Sequence, residues 1–381
     1  MKFQVNRDIF SEAVSFAVKL LPQRTTQPIL SGVLLEASNG VLVLSSFDYE
    51  VSSRTEIVAD VDEPGRALVS GRLLAEIASR LPSAPVQFST IDGKIAVTCG
   101  SAKFALLSMP VEEYPTLPEV AERTGVLPAD EFAAAVAQVA VAASRDDVTP
   151  VITGVQLEVG DNRLSLVATD RYRVAVREID WDSGKTDATG TTALIPARTL
   201  SEIGKTFAHS GTVAVSIVRT DDRELIAFSS EKRTVTSLLI KGNFPPVKRL
   251  FPESVDNYAV LNTAELIDAT RRVALVLERE AALRFTFSLE GLTLEATGAE
   301  QAQASESIDA HLHGEDTVVS LKPSFLLDGL SAVHSEFVRL SFTKTDNPNK
   351  PGPVLITSQS SKDQPGADNY KYLLQPNLLL R

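Results

Sequence analysis

The chain has 381 residues, of which 44% are hydrophobic and 23% are charged, a composition typical of a globular protein with two or three domains. Its single cysteine, Cys99, excludes an internal disulfide framework and a cysteine-clustered zinc site. The net charge of −12 argues against uniform binding of nucleic acid, because phosphate binding depends on Lys and Arg.

The sequence carries no sign of secretion or of a membrane span. Asp8 and Glu12 interrupt the region where a signal peptide needs an apolar run. The most apolar window, 133–143, contains Gln138 and is far shorter than the roughly 20 residues that cross a bilayer. We therefore expect a soluble, cytoplasmic protein with no membrane partner.

Apolar residues recur with helical period in six segments along the chain. These segments are 7–24, 72–80, 130–145, 198–209, 264–272 and 322–334. Together they carry a net charge of +2, so the rest of the chain carries −14. This distribution would suit a protein whose helices face DNA while its exterior stays acidic, although it also fits a protein that binds no DNA.

The strongest signal is internal repetition. The segment PILSGVLLE at 28–36 recurs as PVITGVQLE at 150–158, and LVLSSFDYEV at 42–51 recurs as LSLVATDRYRV at 164–174, so that Asp48 and Asp170 are 122 residues apart. A fainter third copy spans 283–297 without the aspartate. The chain is thus predicted to contain one unit used three times.

A second set of similar segments indicates that each unit has two halves, each with strands and a helix. The segments 67–74, 193–200 and 319–326 each predict a short strand entering a helix, with Arg72, Arg198 and Ser324 spaced by 126 residues. Between the helices, residues alternate with period 2, as in 86–97, where Asp92-Gly93 suits a tight hairpin. We predict α+β domains at 1–122, 123–253 and 254–381, with boundaries in proline-marked stretches.

Repetition has a geometric consequence. Three similar units joined by a constant rotation form an arc, and head-to-tail association that closes makes a ring. An array that stays open and offers a binding surface is the alternative, and periodicity alone does not decide between them.

Several motifs, in order along the whole chain, resemble the bacterial DNA polymerase III beta clamp. They are Met1-Lys2-Phe3, PIL at 28–30, FDYE at 47–50, EPG at 63–65, Tyr114-Pro115, ATDRYR at 168–173, Phe244-Pro245 and YLLQP at 372–376. VSGRLL at 69–74 is similar to the actinobacterial branch. The resemblance implies three clamp domains with antiparallel sheets outside and two helices per domain inside, in a head-to-tail homodimeric ring.

The same resemblance implies partners and no catalysis. The partners are double-stranded DNA held without sequence reading, a second copy of the chain, a clamp loader, the replicative polymerase alpha subunit and other proteins with clamp-binding motifs. A specialised paralogue with an altered partner pocket is one alternative, and an interaction scaffold that does not encircle DNA is another.

Sparse phosphate contacts would let such a clamp slide, and the candidates lie on or beside the predicted helices. They are Arg24, Arg72, Arg145, Arg198 and Lys205. Solvated helix charges are the ordinary explanation for each one alone. For the ring seam, family position points to Phe104 and Leu106 in the first domain and Ala274 and Leu275 in the third, which are otherwise ordinary core residues.

The family's partner-peptide pocket maps onto residues of the second and third domains. They are Ile152, Thr169, Arg171, Tyr172, Arg173, Val174, Pro245, Leu250, Leu373, Gln375, Pro376 and Asn377. Without the resemblance, 169–174 would be interpreted as an ordinary strand and turn. Gln375 and Asn377 depart from the family, whose tails carry apolar side chains there, and we expect altered affinity for partners or inhibitors.

Enzyme interpretations find little support. The Gly-Lys-Thr tripeptides at 184–186 and 204–206 lack the first glycine of a phosphate-binding loop. His311 and His313 alternate, but no spaced carboxylate or cysteine pair accompanies them. We expect no catalytic residues, no metal and no cofactor. A hydrolase with scattered catalytic residues is a weaker alternative.

Overall fold

A computed structural model describes most of the chain. The described residues are 1–22, 25–120, 123–184, 188–219, 223–278, 280–298, 302–345, 351–366 and 369–378. They belong to two compact units: the first comprises Met1–Asp130, Asp182–Ala188 and Glu202–Leu239, and the second comprises Glu131–Trp181, Thr189–Ser201 and Ile240–Arg381.

The described residues form six α-helices, one in each predicted segment. They are α1 (Arg7–Val18), α2 (Gly71–Ala78), α3 (Ala129–Ala140), α4 (Ala197–Phe207), α5 (Thr263–Val273) and α6 (Pro323–Ala332). The side chains of Asn6, Ser70 and Asn262 cap α1, α2 and α5 by accepting N–H groups of the first turn. None of these six helices is long and apolar enough to cross a membrane.

Two helices end earlier than predicted. The segment 7–24 is helical only to Val18, since Pro22 cannot continue a helix and disfavours helical backbone before it. The segment 130–145 is helical only to Ala140, and the N–H of Ser144 then donates to the carbonyl of Ile152 at 2.8 Å. This bond turns the chain away from the helix axis.

The strands alternate with the helices. The strands before α4 are β1 (Lys2–Val5), β2 (Gly32–Ser38), β3 (Val41–Phe47), β4 (Val51–Val58), β5 (Asp60–Glu63), β6 (Gly65–Ser70), β7 (Val86–Ile91), β8 (Lys94–Cys99), β9 (Ala102–Leu107), β10 (Gly125–Pro128), β11 (Gly154–Val159), β12 (Arg163–Thr169), β13 (Arg173–Asp180) and β14 (Thr192–Pro196). Those after it are β15 (Thr212–Arg219), β16 (Glu224–Ser230), β17 (Arg233–Leu238), β18 (Tyr258–Asn262), β19 (Leu283–Ser288), β20 (Gly291–Thr297), β21 (Gln303–Ile308), β22 (His311–His313), β23 (Thr317–Leu321), β24 (Phe337–Phe342), β25 (Val354–Ser361), β26 (Gln364–Pro365) and β27 (Tyr370–Leu374).

The strand pairing repeats three times. In the first repeat β2 pairs β3 and β6, β3 pairs β4, and β1 pairs β7 within the series β7-β8-β9. The middle repeat has the same pattern in β10–β17, and the third has it in β18–β27, where β22 pairs β18 as β5 pairs β1 and where β26 is added. All of these pairs are antiparallel, so the predicted α+β repeats with antiparallel sheets are confirmed.

Within the first unit, one sheet has the order β5-β1-β7-β8-β9 and the other β10-β15-β16-β17-β4-β3-β2-β6. The second sheet joins two repeats through β4 and β17, with Val51 opposite Ser237. Side chains of α1 and α2, among them Phe10, Val14 and Leu74, are fully buried in the core beneath the first-repeat strands. Burial of this apolar surface is the main stabilising term of the unit.

Within the second unit, the larger sheet has the order β14-β11-β12-β13-β27-β25-β24-β18-β22, and a four-stranded sheet has the order β21-β20-β19-β23. Here β13 pairs β27, with Arg173 opposite Leu374. This pairing joins the middle and third repeats as β4 and β17 join the first two. The same junction is therefore built twice in one chain.

In the first and third repeats, the strands that correspond to these junction strands but take no part in either junction lie at sheet edges. By chain order β21 corresponds to β4 and β13, while β9 corresponds to β17 and β27. In the described parts of the chain, β9 pairs only β8 and β21 pairs only β20. Each outer repeat thus presents one half of the junction without its other half.

The hairpin predicted at Asp92-Gly93 is confirmed. Both residues have positive φ, 49° and 72°, and they join β7 to β8. A two-residue turn with two positive φ angles matches the twist of the flanking strands, which explains the preference for Asp-Gly at this position.

Candidate functional site

The turn between β12 and β13 fixes the predicted pocket residues in place. The Asp170 Oδ1 atom accepts the N–H groups of Tyr172 at 3.0 Å and Arg173 at 3.1 Å. The Thr169 Oγ1 atom accepts the N–H of Arg171 at 3.2 Å and donates to the Arg173 carbonyl at 2.7 Å. These four bonds hold Arg171 at a φ of 80°, a conformation that a residue with a β-carbon adopts only when its surroundings impose it.

An apolar cluster lies beside this turn. Val167, Val174, Val176 and Leu373 form a buried cluster, and Val174 and Leu373 face each other across β13 and β27. Partly buried side chains flank the cluster: Phe244, Val247, Phe251 and Leu355. We call this cluster, with the 169–174 turn and the 244–251 segment, the partner groove, after the pocket that the sequence predicted there.

The structure brings several predicted residues to the partner groove and adds others. Val174 and Leu373 lie in its floor, Pro245 is half-buried in the flanking segment, and Leu250 is exposed at its rim. Ile152 is buried in a short turn, Pro150–Ile152, after α3. Sequence reasoning missed Val176, although it shares a strand face with Val174, and it missed Phe244 and Phe251, which bracket the predicted Pro245 and Leu250.

Arg173 lies behind the partner groove. It is 6% exposed, and its guanidinium contacts Asp170 Oδ2 at 2.9 Å, Asp328 Oδ2 at 2.5 Å and Tyr372 Oη at 3.1 Å. The same group lies 4.3 Å from the ring centre of Phe325 in α6. Burial opposes the charge, but Tyr372 and Asp328 outweigh burial and raise the pKa of Arg173 above its usual value.

Arg173 therefore supports the groove rather than offering a surface to a peptide. Its neighbour Tyr172 is exposed, with its ring 6.0 Å from Phe325.

The C-terminal residues extend β27 along the groove. The Gln375 N–H donates to the Tyr172 carbonyl at 2.9 Å, and its side-chain amide donates to the Pro351 carbonyl at 3.0 Å. Pro376 is buried, whereas Asn377 is exposed and is held by its N–H, which donates to the Ser320 carbonyl at 2.8 Å. The half-buried Gln375 amide thus has a partner.

The first repeat has an equivalent turn, and a small cavity lies beside it, lined in part by Phe47, Tyr49 and Glu50. Asp48 Oδ1 accepts the N–H groups of Glu50 and Val51, and Tyr49 has a φ of 75°. Tyr114 packs against Phe47 in a buried cluster, and its Oη accepts the N–H of Phe47 at 2.7 Å. Burial raises the pKa of Tyr114 to about 12.

The described residues among those predicted to contact DNA lie on α2, on α4 and in the loop after α3. Arg72 and Arg198 are each the second residue of their helix and are exposed, and Ser324 has the same position in α6. Lys205 is exposed in α4 and pairs with Glu202 at 2.8 Å. Arg145 is exposed in the loop beyond α3, and Arg24 lies outside the described residues.

The predicted seam residues belong to the two edge strands or lie near them. Phe104 is exposed on β9, whereas Leu106 on the same strand is only 3% exposed and packs into the core of the first unit. Leu106 can therefore contribute to a seam through its backbone. Ala274 is half-buried and Leu275 is 83% exposed, in the turn that follows α5.

The described residues hold no candidate metal site. Over the residues that the structure describes, no group of three or more His, Cys, Asp or Glu side chains could hold a metal ion. His313 stacks on Tyr258 with ring centres 4.6 Å apart, and Arg339 lies 3.4 Å from the ring centre of Tyr258. His313 thus packs in a surface stack with Tyr258 and Arg339.

Three family models cover nearly the whole chain. They describe the DNA polymerase III beta subunit: its N-terminal domain matches residues 1–118, its central domain 126–246 and its C-terminal domain 248–363. The chain belongs to the DNA polymerase III beta subunit family. The resemblance seen in the sequence and the three-domain clamp fold that it implied are both confirmed.

Relatives of known identity agree with this family. The chain is 44% identical to the beta sliding clamp of Streptomyces coelicolor over 377 residues, which is 99% of each chain. It is 38% identical to the beta sliding clamp homolog GriR of Streptomyces muensis over 376 residues, again 99% of each. A crystal structure of the DNA polymerase sliding clamp from Bacillus subtilis superposes with a TM-score of 0.90 at 25% identity and full coverage of both chains.

The role predicted from the sequence, a processivity factor in DNA replication, follows from this membership. The actinobacterial resemblance is consistent with the Streptomyces relatives. The scaffold alternative is not favoured, because the match to sliding clamps extends along the whole chain.

Proposed function

We propose that two copies of this chain close head to tail into a ring around duplex DNA and tether the replicative polymerase to it without catalysing a reaction. The ring would contain six clamp domains, at 1–122, 123–253 and 254–381 of each copy, with sheets outside and helices facing DNA. A clamp loader would open and place it, in the cytoplasm. The polymerase alpha subunit and other proteins with clamp-binding motifs would dock in the partner groove.

Two edge strands, β9 and β21, carry the proposal, because each corresponds to a strand that forms a junction elsewhere in the chain. Strand β4 pairs β17 and β13 pairs β27, which leaves β21 and β9 as the corresponding strands of the outer repeats. Exposed sheet edges are sites for pairing with another chain. If β21 of one copy pairs β9 of the next, the same junction forms again, and two copies would complete six repeats.

The helix positions support DNA inside this ring. Arg72 and Arg198 occupy equivalent, exposed positions at the starts of α2 and α4. The ion pair of Arg72 with Glu76 is at the surface, with N and O 3.4 Å apart, so it costs little to exchange for a phosphate. Such scattered contacts hold the DNA backbone without reading bases, as sliding requires.

A primer-extension assay tests the function. With a family polymerase and its clamp loader, adding the chain should lengthen the products made in one binding event by more than tenfold, because the polymerase stays tethered after it lets go of the primer. The Leu250→Ser variant, altered at the exposed rim of the partner groove, should shorten them again. Products of unchanged length with the unaltered chain would contradict the proposed role.

We propose further that Gln375 weakens docking of apolar peptides, as in a specialised clamp with an altered pocket. Replacing Gln375 by Met together with Asn377 by Val should raise the affinity of a consensus clamp-binding peptide about threefold, the scale of one buried methylene. Titration calorimetry measures this change. Asn377→Val alone is the control and should have no effect, since Asn377 is exposed. If the double variant binds no better, the hypothesis fails.

A further inference from the structure

The junction of the first and middle repeats holds a cavity that the proposed function does not use. Its space measures about 210 Å³, part of it open to solvent, and its lining comes from both repeats. Tyr49 and Glu50 line it from the first repeat, and Leu225 and Leu238 from the middle repeat. Small-molecule pockets span roughly 300 to 1,000 Å³, so this cavity has room for about one side chain.

The backbone at this cavity repeats the backbone at the partner groove. The N–H of Leu238 donates to the Glu50 carbonyl at 2.8 Å, and the N–H of Gln375 donates to the Tyr172 carbonyl at 2.9 Å. In both turns the residue before the accepting carbonyl has a positive φ, 75° in the first repeat and 80° in the middle one. The duplicated unit thus presents the same position twice, with different side chains around it.

The buried part of the lining calls for an apolar ligand group. Phe47 is 3% exposed and Leu225 is 6% exposed. Thr236 is the buried polar residue of the lining, and its hydroxyl already shares a hydrogen bond of 2.5 Å with that of Ser52. Because this hydroxyl has a partner, an aliphatic side chain would enter the cavity without leaving a buried polar group unsatisfied.

The exposed part of the lining adds an aromatic wall and a negative charge. Tyr49 is 49% exposed, and its ring centre lies 5.6 Å from that of Phe47. Glu50 is exposed, and its carboxylate forms no ion pair with another described residue, whereas Arg223 in the same lining already interacts within the chain. A ligand that complements this surface therefore carries a cation beside its apolar group.

We propose that this cavity is a second docking site, which takes one leucine side chain from a partner protein in which a lysine or arginine adjoins that leucine. The leucine packs beside the Tyr49 ring, and the adjoining cation pairs with Glu50. The site is separate from the partner groove and does not depend on docking there. A partner that carries a suitable segment for each junction would gain avidity from holding both.

Methyl NMR of the full chain, with isotopically labelled leucine methyl groups, tests the proposal. We would add the acetylated, amidated peptide Gly-Ser-Leu-Lys-Gly, a twin with glutamate in place of the lysine, and a twin with alanine in place of the leucine. The lysine peptide should shift the signals of Leu225 and Leu238 saturably and bind about two- to fivefold more tightly than the glutamate twin, the range of an exposed ion pair. This preference should fade at 1 M salt, and the alanine twin should cause no shift.

Two variants separate the apolar contact from the charge. Tyr49→Gly should keep the turn, because glycine tolerates the φ of 75°, but should weaken the lysine peptide severalfold by removing the wall. Glu50→Gln should keep leucine docking and lose the preference for lysine over glutamate. Glu231→Gly is the matched control, because Glu231 also has a positive φ, 52°, but lies in the β16–β17 turn, and binding should be unchanged.

Several results would overturn the second site. One is that no peptide moves the signals of Leu225 and Leu238, or that the shifts are confined to Leu373 in the partner groove. Another is that the lysine and glutamate peptides bind equally well. A third is that binding survives unchanged in Tyr49→Gly, or that the preference for lysine survives in Glu50→Gln. None of these results bears on docking at the partner groove, which the primer-extension assay tests separately.

Discussion

Replacing Arg173 by alanine should lower the free energy of unfolding of the second unit by about 3 to 5 kcal/mol, the cost of breaking a buried ion pair. The guanidinium joins Asp170 in the middle repeat to Asp328 and Tyr372 in the third, and it also covers the Phe325 ring. Its removal leaves the Asp170 carboxylate buried without its main cation. The groove floor should loosen too, because Val174 is the next residue along β13.

Urea denaturation followed by circular dichroism measures this loss, with Arg163→Ala as the matched control. Arg163 pairs with Asp180 at 2.8 Å in the same sheet, but both side chains are largely exposed, so its removal should cost less than about 1 kcal/mol. Arg173→Lys should recover only part of the loss, since an ammonium cannot make the same set of contacts. Equal stabilities of Arg173→Ala and Arg163→Ala would contradict the supporting role given to Arg173.

Replacing Leu275 by aspartate should split the proposed dimer into folded monomers. Leu275 is 83% exposed and lies in the turn after α5, and α5 is tied to edge strand β21 by the ion pair of Arg272 with Glu306. A carboxylate buried in an apolar seam should cost about 2 to 4 kcal/mol, which raises the dissociation constant roughly 30- to 1,000-fold. Phe104→Asp on edge strand β9 should act in the same way.

Sedimentation equilibrium measures the dissociation constant of each variant. Val58→Asp is the control, because Val58 is 79% exposed but lies on β4, whose pairing is complete within the chain. It should remain dimeric, and all three variants should keep the same circular dichroism spectrum. If Leu275→Asp and Phe104→Asp associate as tightly as Val58→Asp, the seam lies elsewhere.

The sequence predicted what depends on local pattern. Helical periodicity located all six helices, and Asp92-Gly93 marked its hairpin, because both signals arise between near neighbours. The repeat offset also predicts that Arg72 and Arg198 occupy equivalent helix positions, and each is the second residue of its helix. Helical periodicity did not predict the early ends of α1 and α3, because apolar residues continue beyond Val18 and Ala140. For α1, Pro22 is the local signal that marks the end.

What the sequence could not predict depends on residues distant in the chain. Arg173 and Asp328 are 155 positions apart, so nothing in the ATDRYR motif indicates that the arginine points inward. Tyr114 and Phe244 begin similar aromatic-proline pairs, yet Tyr114 is buried beside Phe47, whereas Phe244 is only partly buried against the cluster that contains Val174. This difference depends on tertiary packing, which a motif does not encode.

Retention on circular DNA tests most directly whether the chain encircles DNA. After loading onto a nicked circular plasmid, the chain should stay bound through gel filtration in high salt, because an intact ring cannot leave a closed path and salt weakens only the phosphate contacts. Cutting the plasmid once should release it. Equal retention on circular and linear DNA, or loss from both, would show that DNA is held by surface contact or not at all, and encirclement would be wrong.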